Sequence, residues 1–209
     1  MSKRWTGIVA GITLAIAVFF NIINTTISYI GLYRVFEHDF MRIMGKNILV
    51  FIITTAAFII IIVGAFSNKL GIPMLVGTGL WTATNFISAF ISLIRTSNFT
   101  VGDFFLGLFN TAIPVLVPAL LLIMTAATMV TRRRVTNLFV VPAILNFVSG
   151  FVNLVVQGLN MPQDFISMFR SLFVPTTIML FYTAAYLFIG MFIEGKGIAL
   201  EREGATLKK

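Results

Sequence analysis

Long apolar runs, broken only by short polar clusters, set the pattern of this chain. They cover roughly 6–30, 47–67, 71–94, 104–130, 137–157 and 165–193. A helix needs about 20 predominantly apolar residues to cross the hydrocarbon core of a bilayer, and each run is near that length or longer. Inside lipid, every backbone N–H and C=O must find its partner within the segment, so the runs are predicted as helices. A run such as AAFIIIIVGAF, residues 56–66, does not alternate as a barrel strand would. The first run is long and lacks a small-residue cleavage motif, so it is expected to remain as a helix and not to be removed as a signal peptide. The pattern therefore predicts an all-α integral membrane protein. Six transmembrane helices form one domain over 1–194, and a short cytoplasmic tail over 195–209 is solvated or forms one or two helical turns.

The polar positions carry a second pattern. NIINTTISYI at 21–30, NFISAFISLI at 85–94 and NFVSGFVNLV at 146–155 align without a gap. Asn21, Asn85 and Asn146 coincide; three residues on come Asn24, Ser88 and Ser149, and seven on come Ser28, Ser92 and Asn153. Eighteen and nineteen residues on, each copy has an Asp-Phe pair: Asp39, Asp103 and Asp164, followed by Phe40, Phe104 and Phe165. Twenty-nine on, Pro114 matches Pro175, and the first copy has Val50. Three repeats are thus predicted, at about 6–67, 71–130 and 137–193. Each holds an outgoing and a returning helix, so all three have the same orientation. Parallel repeats of this kind are related by an axis along the membrane normal, which implies approximate threefold pseudo-symmetry.

Offsets of 0, 3 and 7 share one helix face. Each set of three polar residues therefore forms a stripe from mid-membrane toward the outer surface. Carboxamides facing lipid are costly, so the stripes are expected to face protein or a wetted cavity. Two readings stand side by side: hydrogen-bonding glue between helices, and the lining of an outward-facing polar vestibule. Asp39, Asp103 and Asp164 are expected to cap the returning helices, where a carboxylate accepts from free N–H groups at the positive end of the helix dipole. A cation-binding ring of the three carboxylates is the alternative. Arg42, Lys46 and Arg170 fall one or two turns into the returning helices and either snorkel to headgroups or face the axis. Pro114, Pro118 and Pro175 interrupt the returning helices and free carbonyls for other donors.

Composition sharpens this picture. The chain is 58% hydrophobic and 11% charged, with a mean hydropathy of +1.01. The net charge of +8 does not indicate nucleic-acid binding, because the basic residues gather at helix ends. Ten lie on the side of both termini and five on the other, which predicts cytoplasmic termini in a bacterial-type plasma membrane. There is no cysteine, which excludes disulfides and thiolate sites. The single histidine, His38, has no partner motif, and no hydrolase, zinc or phosphate-binding signature is present. No enzyme activity, metal or cofactor is expected. Helix centres hold no Asp or Glu, which argues against proton-coupled turnover by this chain alone.

Three two-helix units resemble the layout of mitochondrial carriers in number, but the Pro-x-acid-x-x-base signature of that family is absent. The size and six spans are similar to those of the substrate-binding membrane subunits of vitamin uptake systems, without a shared motif. Neither family is assigned. The expected partners are the lipid bilayer, other membrane subunits or further copies of the chain, and a small neutral or anionic solute. The function expected is that of a transport or substrate-binding membrane subunit. The other reading is a non-catalytic structural or assembly subunit of a larger membrane complex.

Overall fold

The computed structural model of the chain describes residues 3–67, 70–95, 101–134, 138–159 and 165–206. Side chains at 3–4, 92–95, 101–110, 157, 159, 165–171 and 204 fall outside the described residues. The fold is all helical, with no strand among the described residues. Helix α1 runs Lys3–Phe36 and α2 Phe40–Phe66, joined by one tight 3-10 turn, Glu37–Asp39. Helix α3 spans Ile72–Arg95, α4 Val101–Thr131, α5 Val141–Leu159 and α6 Phe165–Thr206. A second 3-10 turn, Leu138–Val140, leads into α5.

Five stretches among the described residues are long and apolar enough to cross a bilayer. The first, Trp5–Phe66, is 62 residues long because α1 and α2 follow one another almost without a break. The external loop expected before Asp39 is therefore only a turn. At the other end of the chain, α6 has 42 residues and extends for about 63 Å at 1.5 Å per residue. It continues as helix through Thr206, so no break in structure marks the expected boundary between domain and tail at 194.

Each helix packs on its neighbours in sequence, and α6 closes back on α1; α4 also reaches α6. Close approach at one end depends on glycine. A Cβ added to Gly7 would lie 2.7 Å from the Ala65 carbonyl oxygen, and one added to Gly77 would lie 2.6 Å from Ile61 Cγ1 and 3.0 Å from the Ala57 oxygen. These glycines let α1 meet α2, and α2 meet α3, backbone to backbone, as small residues do in membrane bundles.

The buried residues divide the bundle in two. In α1 they end at Val18 and in α2 they begin at Ala57. In α3 they end at Thr84, in α5 at Ala143, and in α6 they begin at Tyr182. The core thus fills the end that holds both termini and the junctions α2–α3 and α4–α5. Toward the other end, large apolar side chains such as Phe86, Phe90, Phe147 and Phe151 are exposed.

Threonines enter this core by bonding to their own helices. The hydroxyls of Thr78 and Thr125 donate to the carbonyls of Met74 and Leu121, each at 2.7 Å, and Thr84 donates to Leu80 at 2.8 Å. That back-bonding satisfies a hydroxyl in an apolar setting. Thr128 is fully buried and its hydroxyl has no partner among the described residues. Thr128→Val retains the shape and removes the stranded group, so it is expected to stabilise the protein by about 1 kcal/mol. Denaturant unfolding in detergent micelles measures this; a loss of stability would show that the hydroxyl is satisfied.

Candidate functional site

The three asparagines that the sequence alignment matches meet at one place. Asn21 of α1, Asn85 of α3 and Asn146 of α5 line a single cavity of about 280 Å³, together with Ser149. The cavity lies where the buried core gives out. Below it sit Phe58, Trp81, Tyr182 and Tyr186, all 9% exposed or less. Their rings pack on one another, with centroids 4.7 Å apart for Phe58–Trp81, 5.5 Å for Phe58–Tyr182, 5.3 Å for Trp81–Tyr186 and 5.7 Å for Tyr182–Tyr186. Tilted contacts of this kind suit the quadrupoles of neighbouring rings and make a firm aromatic floor. Four turns of three different helices (α2, α3 and α6) supply it.

Two of the amides are held by the next helix in the chain. Asn85 Nδ2 donates to the Pro114 carbonyl oxygen at 3.0 Å. That oxygen would ordinarily accept from the N–H four residues on, but Pro118 has none. A proline inside α4 thus creates the acceptor that α3 fills. Asn146 Nδ2 donates to Thr183 Oγ1 at 2.8 Å and to the Met179 carbonyl oxygen at 3.4 Å. Gly150, one turn further along α5, gives room for this approach: a Cβ there would collide with the Met179 side chain. Asn21 is held differently. Thr25 Oγ1 donates to its Oδ1 over a long 3.5 Å. The Tyr182 hydroxyl, buried and without a hydrogen bond of good geometry, has the Asn21 side chain as the group placed to meet it.

Apart from Ser149, the rest of each stripe diverges from this centre. Asn24, Ser88 and Asn153 are half-buried and are not part of the cavity lining. Ser28 is exposed, and its hydroxyl turns back to the Asn24 carbonyl at 2.9 Å. Ser92 lies outside the described side chains. The stripes are thus alike in their deepest member and part company within two turns.

Comparison with protein-family models, curated proteins and solved structures finds no match to this chain.

The capping expectation fails for the aspartate that can be seen. Asp39 stands at the N-cap position of α2, but its backbone is already helical (φ −95°, ψ −1°) and its side chain makes no capping bond. The preceding 3-10 turn winds straight into the helix and leaves no extended residue from which a side chain can reach forward. Asp103 follows the start of α4 at Val101 by two residues, inside the first turn; its side chain, like all of Asp164, lies outside the described residues. Arg42 is exposed and Lys46 half-buried, and neither lines the cavity; the Arg170 side chain is outside the described residues. No group of three or more potential metal ligands occurs among the described residues.

Sequence reasoning did not find the aromatic floor. A signal was present: Trp81 precedes Asn85 by four residues, and Tyr182 precedes Tyr186 by four, which stacks each pair on one face. It could not be told from ordinary core spacing. Thr183, the partner of Asn146, was also missed.

Proposed function

We propose that this chain is a small transport or substrate-binding membrane subunit, with an outward-facing polar vestibule lined by its odd-numbered helices. It spans the membrane six times as three parallel two-helix repeats, in approximate threefold arrangement about the membrane normal. Both termini face the cytoplasm of a bacterial-type cell. It performs no catalysis, works with other membrane subunits or further copies of itself, and handles a small neutral or anionic solute.

One observation carries this reading. Asn21, Asn85 and Asn146, matched by sequence alone, line one cavity closed beneath by aromatic rings. Concave sites with a few convergent polar groups over an apolar base are the usual form of small-molecule sites. Packing in chain order, with α6 closing on α1, is the arrangement three such units would adopt. A second reading has its own support. The amides of Asn85 and Asn146 are spent on α4 and α6, as they would be in a structural or assembly subunit whose stripes are packing glue.

Water access separates the two. The native chain has no cysteine, so Ser149→Cys gives a single thiol at the cavity wall. It is expected to react with a membrane-impermeant thiol reagent added from the side opposite the termini, while Thr125→Cys, fully buried, does not. Protection of both thiols would leave the glue reading. For the six-span topology, single cysteines replacing Ser67 and Thr100 are expected to react from opposite faces. Reaction of both from one face overturns it.

A further inference from the structure

We infer that the solute held in this cavity is uncharged and planar, and that it donates hydrogen bonds through N–H groups. The inference rests on the vestibule reading above and narrows it. It starts from which atoms of the amides remain unused. A carbonyl oxygen only accepts, so the bond from Asn85 to Pro114 fixes Nδ2 toward α4 and turns Oδ1 away from it. Asn146 gives one N–H to Thr183 and the other to Met179, and its Oδ1 is the only atom left. Neither Oδ1 has a partner among the described residues. The Oδ1 of Asn21 receives only the long bond from Thr25. Three helices thus bring carboxamides to one cavity, and what their oxygens lack among the described residues is donors.

Charge narrows the ligand further. Among the described residues, no ionisable side chain other than the two tyrosines lines the cavity. An anion would lose its hydration and meet oxygen lone pairs with no counter-charge. A cation would meet the oxygens but would have no carboxylate to offset its own desolvation. The floor rings make a base on one side of the cavity and not a cage that surrounds a cation. An uncharged N–H donor gives up least on entry. A flat one lies against the aromatic base.

The site contains its own reporter. Of the two tryptophans, Trp5 is 60% exposed at the far end of α1 and Trp81 is in the floor. In the full-length Trp5→Phe protein, in lipid nanodiscs, emission comes from Trp81 alone. Benzamide, benzoate and benzylammonium share a ring and differ in charge and donor character, so they are the probes. Benzamide is expected to change the emission saturably, with an affinity at least about tenfold above that of either charged probe, a gap of about 1.4 kcal/mol. Asn21→Leu and Asn146→Leu are each expected to weaken benzamide by about tenfold while eluting as the parent does on size exclusion. Two positions are used so that misfolding of one variant leaves the other to decide. Tighter binding of benzoate or benzylammonium overturns the donor assignment and leaves the vestibule standing. Absence of a saturable response to all three overturns the inference, and the labelling at Ser149 then decides the vestibule independently.

Discussion

Replacing Asn85 by leucine is expected to destabilise the protein by about 1–2 kcal/mol, because the Pro114 carbonyl then loses its one good donor. The cause can be isolated by returning the missing N–H. Pro118→Ala restores a helical donor to that same carbonyl, so in its background most of the cost of Asn85→Leu should vanish. Pro118 is itself fully buried, so the alanine variant carries its own packing loss. The coupling between the two sites is therefore the quantity to read, from denaturant unfolding of the four proteins in micelles. Additive costs would mean that Asn85 acts through something other than the proline-freed carbonyl.

A larger loss, about 3 kcal/mol, is expected from Gly190→Ala, at the upper end of the range for overpacking. The added methyl would run into the Phe139 carbonyl, with the Phe139 Cα only 3.1 Å away. These are backbone atoms in the turn that opens α5 and cannot swing aside as a side-chain tip can. Gly31→Ala is the control of opposite sign. Nothing stands within 4 Å of its Cβ position, so removing a flexible residue from mid-helix should stabilise by about 0.5–1 kcal/mol. If both substitutions destabilise alike, helix packing at Gly190 is not the reason.

The helical, membrane-length character of the chain could be read from hydropathy, because it follows from a requirement on every backbone group and not on particular contacts. The depth at which the asparagines converge was legible too, since matched spacing alone aligned Asn21, Asn85 and Asn146. What failed depended on neighbours. Asp39 has the right residue type for a cap, yet capping needs an extended backbone before the helix, and the 3-10 turn at Glu37–Asp39 removes it. The expectation that prolines free carbonyls for other donors holds at Pro114. It did not anticipate that the donor to Pro114 would be an amide from α3. Near Pro175 the freed carbonyl is that of Ser171, and the Thr177 hydroxyl bonds back instead to the Phe173 carbonyl, at 2.8 Å. The aromatic floor was hidden because four large rings at helical spacing look like any core until the helices are brought together.

The split between a filled half and an unfilled half has a mechanical consequence. Near the termini, interlocked side chains and glycine contacts make a stiff base. Above the cavity, no side chain among the described residues is buried, and the links between helices there include Asn85 to Pro114, Asn146 to Thr183, and the rings of Tyr29 and Tyr33 set against Phe40 at 6.5 and 5.4 Å. In a bilayer, acyl chains would complete that upper half by packing on Phe86, Phe90, Phe147 and Phe151. Its spread is then set as much by lateral pressure and chain order as by the protein. On the vestibule reading, the mouth of the cavity would be a compliant rim on a firm cup, its width expected to follow the thickness and fluidity of the surrounding lipid.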